Sequence, residues 1–170
     1  MIRRSVGVTI RPVQPADLDV LVDIYLSSAR HHARIDPDWF HVPAPDAVRE
    51  RLERFASGTG GVDAYVGAMV DGHVVGSATI AIADKPHPGN MGRHLDVAEL
   101  GVAVLEEWRG RGVGTSLIRH LEAWAAERGV EWLILEVADA NPRATRLYER
   151  LGYELDRRRL RRRLRPPDAG

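Results

Sequence analysis

The feature that most constrains the fold is a glycine-rich turn between a predicted strand and a predicted helix. Three glycines alternate with other residues over 110–114, directly before an amphipathic stretch that begins at Thr115. Glycines in this arrangement let the backbone curl tightly and approach a ligand closely. The N–H groups of residues 110–115 can then converge with the helix N-terminus on one anion, and Arg109 and Arg111 add positive charge. The turn therefore predicts an α/β domain with a pyrophosphate site.

Two common nucleotide-binding motifs do not fit this turn. The P-loop motif requires a lysine directly after its last glycine, and the only lysine in the sequence is Lys85. The dinucleotide fingerprint requires a third glycine at position 115, where this chain has threonine. The predicted pyrophosphate site thus belongs to neither class of nucleotide-binding protein. The alternative is a glycine- and arginine-rich turn that binds no ligand.

Hydrophobic periodicity and turn residues predict a single mixed α/β domain. They predict strands at 6–11, 63–70, 73–82, 95–104 and 131–137, with one or two more within 153–164. Capping residues and helical spacing predict helices that begin at Pro15, after Pro45, at Thr115 and at Pro142. Residues 71–72 read Asp-Gly, a typical hairpin turn, and the apolar run 131–137 suits a central strand. We expect one domain over residues 1–165 and a disordered tail at 166–170.

The formal net charge of zero conceals a separation of charge along the chain. Residues 153–170 contain seven arginines and three acidic residues, so residues 1–152 carry a net charge of −4. The arginine block could bind nucleic acid, or it could be the exposed face of a last strand. Leucines interrupt the arginines and no aromatic residue lies within 157–165. Because single-stranded nucleic acid is bound by aromatic stacking as well as charge, we expect a strand and no nucleic-acid partner.

Several absences narrow the function further. The sequence has no cysteine, no apolar run approaching the ~20 residues of a membrane span, and no apolar leader near its first residue. Disulfides, thiolate metal sites and a cysteine nucleophile are thereby excluded. We expect a cytoplasmic protein with no membrane partner.

The glycine turn and two further segments resemble one known family. The pattern Arg109-x-x-Gly112-x-Gly114 after an apolar strand resembles the acyl-CoA signature of the GCN5-related N-acetyltransferases (GNAT). Residues 98–104 are similar to the family's fourth strand, and residues 141–154 to its C-terminal motif. The resemblance implies a mostly antiparallel sheet of six to seven strands flanked by four helices, with the fourth and fifth strands splayed apart. It also implies an N-acetyltransferase that uses acetyl-CoA as its acyl donor.

In this family the arm of the cofactor lies in the gap between the splayed strands and pairs with the backbone of the fourth strand. A main-chain N–H near Val102–Val104 then polarises the acyl carbonyl, and the pyrophosphate lies on residues 109–115. The cofactor-binding residues implied by the resemblance are Val102, Ala103, Val104, Arg109, Gly110, Arg111, Gly112, Val113, Gly114, Thr115, Asn141, Ala144 and Tyr148.

Tyr148 is the predicted general acid. Asn141, Thr145 and Tyr148 share one face of the last helix, from which a phenol can reach the gap that holds the thioester. The departing thiolate benefits from gaining a proton. A tyrosine packed in the core is the alternative. Asn141 is also predicted to cap the helix, with Pro142 at its first position.

Glu99 is the predicted base, acting directly or through a water. A carboxylate inside an apolar strand is costly unless it is paired or faces a cavity. Alternation places Glu99, Gly101 and Ala103 on one face, where the small residues leave room beside the acid. A salt-bridged or solvent-facing glutamate is the alternative, and His94 is a competing base.

The acceptor pocket is expected between two irregular segments, residues 30–41 and 84–94. His31, His32 and His41 lack the spacing of metal ligands, so we expect no metal. The acceptor is expected to be a small-molecule amine, and a non-catalytic acyl-CoA-binding module is the alternative function. We also expect a homodimer. The predicted acceptor-site residues are Tyr25, His31, Trp39, Phe40 and His94.

Overall fold

In the computed structural model, which describes residues 7–83, 96–156 and 161, one mixed sheet forms the centre of the molecule. Within these residues the sheet has five strands, in the spatial order β1 (Thr9–Pro12), β2 (Ala64–Val70), β3 (His73–Ile82), β4 (Val97–Val104) and β5 (Trp132–Ile134). Neighbouring strands are antiparallel except β4 and β5, which are parallel. The predicted mixed α/β class is confirmed.

Four α-helices in the described ranges flank the sheet. They are α1 (Leu18–Ile35), α2 (Pro45–Ala56), α3 (Val113–Ala126) and α4 (Pro142–Arg150). Single 3₁₀ turns precede two of them, at Pro15–Asp17 and Glu106–Trp108. None of these helices has the length and apolar content needed to cross a bilayer.

Helices bury both faces of the sheet. On one face α3 contributes Leu117, Ile118 and Leu121 to a cluster with sheet residues that include Ile80 and Leu100. On the other face α1 and α2 form a second cluster with two sheet residues, and its buried members are Leu21, Val22, Ile24, Leu26, Val48, Leu52, Tyr65 and Val74. Each large aliphatic side chain buried in this way contributes about 1.5–3 kcal/mol.

The two clusters determine how β4 presents its side chains. Ala98 and Leu100 share one face of β4, because alternate residues of a strand point to the same face. Both are buried on the α3 side. Glu99 and Gly101 therefore point to the α1 and α2 side, where both are exposed. This alternation places the predicted base on the face away from α3.

The β2–β3 hairpin follows its sequence signal closely. Val70 pairs with His73 across Asp71 and Gly72, whose φ angles of +49° and +81° fit the two-residue turn that aspartate and glycine favour. The predicted strand 73–82 matches β3, and the predicted strand 63–70 begins one residue later.

The number of strands within the described residues is lower than expected. The described residues form five strands rather than six to seven. Residues 153–156 belong to no strand, and the rest of the predicted segment 153–164 lies outside the described residues except for Arg161. The strand predicted at 131–137 is shorter than expected, since β5 has three residues, and its Trp132 and Ile134 are 58% and 45% exposed. Within the described residues β5 pairs with β4 alone, and its central position stays a prediction.

The first helix is longer than predicted. Residues 31–35, expected to be irregular, continue α1 to Ile35. The Nδ1 atom of His32 lies 2.9 Å from the carbonyl oxygen of Ser28, one turn earlier. His32 and Arg34 also place basic groups in the last turn, where the helix dipole favours positive charge. These local interactions extend a helix whose histidine-rich end has no apolar periodicity.

Candidate active site

β4 and β5 separate after a short parallel contact. Their pairing joins Val97 to Trp132, Ala98 to Leu133 and Glu99 to Ile134, and ends there. β4 continues to Val104 and remains paired with β3 throughout. Within the described residues, the second half of β4 thus has no strand on its β5 side. A strand with one unpaired edge can hydrogen-bond an extended ligand in the place of a neighbouring strand.

The glycine turn leads from this open edge into α3. Gly110 and Gly112 adopt left-handed φ angles of +78° and +91°, and Gly112 is the N-cap of α3. The first N–H groups of the helix, from Val113 onward, have no intrahelical acceptor and face out of its N-terminus. A Cβ built on Gly114 would lie 3.9 Å from a methyl carbon of Val104 and 3.8 Å from one of Leu147. The N-terminal end of α3 therefore lies beside the end of β4 and beside α4.

Arg109 joins this turn to two other elements. Its Nε donates a hydrogen bond to the carbonyl oxygen of Val104 at 3.0 Å, and one terminal nitrogen lies 3.4 Å from both the carbonyl oxygen and the hydroxyl of Ser27 on α1. Burial lowers the pKa of its guanidinium from the ordinary value. The guanidinium of Arg111 lies over the ring of Trp108, 5.0 Å from its centroid. A phosphate contact of either arginine stays a prediction.

The end of α1 packs against the same turn. Arg34 forms an ion pair with Glu106 at 3.1 Å between nitrogen and oxygen. The pKa of His31 is lowered, first by burial and then by the positive charge of Arg109. A lowered pKa favours the neutral imidazole at pH 7. His31 thus lies beside the glycine turn.

The C-terminal motif forms α4 as predicted. The side-chain oxygen of Asn141 accepts a hydrogen bond from the backbone N–H of Ala144 at 3.2 Å, and Pro142 follows the cap. The predicted capping role of Asn141 is therefore confirmed. Tyr148 lies on the α3 side of the sheet, half-buried, with its ring in edge contact with Tyr153 at 5.7 Å between centroids. Burial raises the pKa of the Tyr148 phenol, which keeps it protonated at neutral pH.

Glu99 lies at the edge of a groove between α2 and β4, which we call the α2–β4 groove. The groove has a volume of about 560 Å³, within the ~300–1,000 Å³ typical of small-molecule sites. Gly101 contributes to its floor, and a Cβ there would lie only 2.9 Å from the hydroxyl oxygen of Thr79. The lining residues are Arg51, Arg54, Phe55, Gly60, Gly61, Val62, Thr79, Ala81, Glu99, Leu100 and Gly101.

None of the predicted acceptor residues in the described ranges lines this groove, and one of them lies beside it. Tyr25 lies next to it, since its hydroxyl is 3.4 Å from a terminal nitrogen of Arg51. Phe40 instead contacts the ring of His32 at 5.1 Å between centroids. Trp39 contacts the guanidinium of Arg161, whose carbon is 5.2 Å from the ring centroid. His94 and the predicted loop 84–94 lie outside the described residues.

Arg51 and Arg54 are site residues that sequence reasoning missed. Their spacing on α2 places them on one side of the helix, but only packing of α2 against the sheet shows that this side faces β4. No group of three or more potential metal-ligating side chains occurs in the part of the chain that the structure describes.

Comparison with known proteins identifies the family. The Acetyltransferase (GNAT) family model matches residues 27–153, which is most of the chain. The chain therefore belongs to the acetyltransferase (GNAT) family.

Individual relatives show how far the similarity extends. The chain is 31% identical over 93 residues to the L-amino acid N-acetyltransferase AaaT of Escherichia coli, a match that covers 52% of each chain. A match to streptothricin acetyltransferase of Streptomyces lavendulae covers 43% of that protein at 32% identity. The chain thus spans about half the length of these two curated relatives.

Solved structures share the fold at low sequence identity. A mutant form of the BH1408 protein from Bacillus halodurans superposes with a TM-score of 0.83 at 18% identity, covering 92% of this chain and 99% of that one. The aminoglycoside N-acetyltransferase AAC(6')-Iy in complex with CoA gives a TM-score of 0.67 at 22% identity, with 98% and 100% covered.

Proposed function

We propose that this chain is an N-acetyltransferase that transfers an acetyl group from acetyl-CoA to a primary amine of a small molecule. One observation carries the proposal: β4 joins two sites that the reaction must bring together. Its C-terminal end lies beside the anion-binding end of α3, and its Glu99 opens into the α2–β4 groove. A donor on one side of the strand and an acceptor on the other would meet at its middle.

The donor end is suited to an acyl-CoA. The N–H groups at the start of α3 and the left-handed glycines before it would receive the pyrophosphate. The edge of β4 that β5 leaves open would hydrogen-bond the pantetheine arm, and a main-chain N–H near Val102–Val104 would stabilise the oxyanion of the tetrahedral intermediate. The fold is shared with an acetyltransferase whose structure contains CoA, which supports this assignment.

The reaction requires no covalent enzyme intermediate. The neutral amine attacks the thioester carbonyl, so that a nitrogen–carbon bond forms, the carbon–sulfur bond breaks and CoA leaves as a thiolate. Glu99, directly or through a water, would take the proton that the acceptor amine loses. Tyr148 would protonate the thiolate. Its phenol carries a proton at neutral pH, as an ordinary tyrosine does, and burial raises its pKa further. Holding both reactants in line supplies much of the rate enhancement.

The acceptor class is supported by the relatives. Three of the proteins named above have small molecules in their names: an L-amino acid N-acetyltransferase, a streptothricin acetyltransferase and an aminoglycoside N-acetyltransferase. The volume of the α2–β4 groove also suits a small acceptor. A homodimer, the absence of a metal and the absence of a nucleic-acid partner remain predictions.

The test is a turnover screen combined with a binding measurement. Acetyl-CoA is incubated with the purified chain and a panel of small amines and peptides, and thiol release is followed while calorimetry measures CoA binding. We expect saturable CoA binding and turnover on small amines above that on peptides. A chain that does not bind CoA would refute the proposal, and CoA binding without turnover on any amine would favour a non-catalytic acyl-CoA-binding module.

A further inference from the structure

The α2–β4 groove carries positive charge that acetylation of a simple amine does not require. Arg51 and Arg54 line it from α2, and Glu99 lines it from β4. An amine reaches an enzyme largely as a cationic ammonium, and two guanidinium groups repel a cation unless it also carries a negative group. The arginines therefore disfavour a purely cationic acceptor.

Arg51 differs from the other two arginines of α2 in its contacts. Arg49 forms an ion pair with Asp19, and Arg54 lies 3.3 Å from a carboxylate oxygen of Glu50. Within the described ranges no carboxylate forms an ion pair with Arg51. Its charge is thus not neutralised by a direct partner there.

Aromatic contacts hold Arg51 in place. Its guanidinium carbon lies 5.2 Å from the ring centroid of Phe55 and 5.8 Å from that of Tyr25, and one terminal nitrogen donates to the Tyr25 hydroxyl at 3.4 Å. Contact with an aromatic ring leaves the N–H donors at the edge of the guanidinium plane available to a ligand. A positioned guanidinium in a groove can bind a carboxylate or a phosphate through two parallel hydrogen bonds.

We propose that Arg51 binds an anionic group of the acceptor, a carboxylate or a phosphate, while the amine of the same molecule is directed toward Glu99. The proposal rests on the proposed N-acetyltransferase function and narrows its substrate class to small amines that carry a negative charge, such as amino acids. Arg54, which forms an ion pair with Glu50, adds a second guanidinium group at the same wall of the groove.

Matched acceptors provide the test. With the full chain and saturating acetyl-CoA, kcat/KM is measured for a set of α-amino acids, their carboxamides, the corresponding decarboxylated amines, and phosphoethanolamine. We expect a preference of about tenfold or more for acceptors with a negative group, the scale of one charge-assisted hydrogen-bonded contact. The relative rates on amino acids and phosphoethanolamine distinguish a carboxylate from a phosphate ligand.

Two variants of α2 assign the preference to one side chain. Arg51→Gln is expected to lower kcat/KM about tenfold on the anionic acceptors and to raise it modestly on the amides and simple amines, because the charge that repels their ammonium group is removed. Arg49→Gln removes the same charge from the same helix outside the groove, and should preserve the preference. Arg51→Lys keeps the positive charge but lacks the planar set of N–H donors of a guanidinium group. This variant should retain part of the preference for anionic acceptors.

The outcomes separate this inference from the function on which it rests. Equal rates on charged and uncharged acceptors, or a preference that survives in Arg51→Gln, would overturn the assignment of Arg51 and leave the N-acetyltransferase intact. Absence of both CoA binding and turnover on every acceptor would overturn both. A preference for anionic acceptors that is lost in Arg51→Gln and kept in Arg49→Gln would support the assignment of Arg51.

Discussion

The sharpest test of the donor site replaces a glycine of the turn, Gly112, by alanine. Gly112 has a φ angle of +91°, in the left-handed region that costs a residue with a Cβ about 1–2 kcal/mol. A Cβ built there meets no atom within 4 Å, so collision adds nothing to this cost. Alanine also restricts the unfolded chain, which returns about 0.4–1 kcal/mol. The free energy of unfolding should therefore fall by only about 1 kcal/mol.

Gly129 offers a matched control at the opposite end of α3. Its φ angle is +75° and a Cβ there also meets nothing within 4 Å, so Gly129→Ala should lose about the same stability. A loss of this size lowers Tm by about 2–4 °C in a chain of this length. The two variants should lose the same amount of stability in thermal and denaturant unfolding. They should differ only in CoA binding at the N-terminus of α3.

The difference should appear in CoA affinity. Relief of strain at residue 112 would rotate the backbone N–H groups that begin α3 away from a bound pyrophosphate, and the new methyl group would stand where the ligand approaches. Loss of even one charge-assisted hydrogen bond predicts an increase in Kd of about tenfold or more for Gly112→Ala. Calorimetric titration with CoA should show no change for Gly129→Ala. Equal affinities in two equally destabilised variants would refute the assignment of the donor site to this turn.

Two further predictions concern the proposed acid and the acid stability of the fold. Tyr148→Phe should lower kcat about 100-fold or more while CoA binding is retained. Tyr153→Phe, which removes the neighbouring phenol, should leave kcat near the original value, and equal effects on kcat would argue against a proton transfer by Tyr148. Arg11 holds the pKa of the buried Asp17 carboxyl below its ordinary value through two hydrogen bonds at 2.7 and 2.8 Å. This pair therefore contributes stability above about pH 4 that is lost as the pH falls through the lowered pKa. Asp17→Asn should cost about 2 kcal/mol at pH 7 in urea unfolding, and this cost should decrease steadily as the pH is lowered below 4.

Features whose determinants lie within a few residues were predictable from the sequence. The Asp71-Gly72 hairpin, the cap of α4 by Asn141 and the glycine turn before α3 each depend on local backbone preferences. The placement of Glu99 on one face with small residues also rested on strand alternation. Glu99 lines the α2–β4 groove and is exposed there, and its role as the base stays a prediction.

The features that were missed depend on contacts between distant segments. β5 is apolar throughout, yet its Trp132 and Ile134 are exposed where they pair with β4, and no local pattern encodes whether a sheet face is covered. The arginines of the α2–β4 groove are carried by α2. Their position beside β4 depends on the packing of α1 and α2 together against the sheet. The long range of these determinants explains why the residues of the α2–β4 groove were harder to predict than the glycine turn before α3.

Arg109 shows how such a long-range contact serves the site. Its pattern predicts a phosphate ligand, yet its side chain ties the last carbonyl of β4 to Ser27 of α1. One turn or less along the same helix, Tyr25 contacts Arg51 in the wall of the α2–β4 groove. α1 therefore touches the donor turn and the acceptor wall at once. Direct transfer depends on holding two reactants within about 3–3.5 Å in the correct orientation. Under the proposed function, a rigid helix that contacts both sites fixes the distance between them. Arg109 contributes to this by binding α1, and it could not do so if its side chain only bound phosphate.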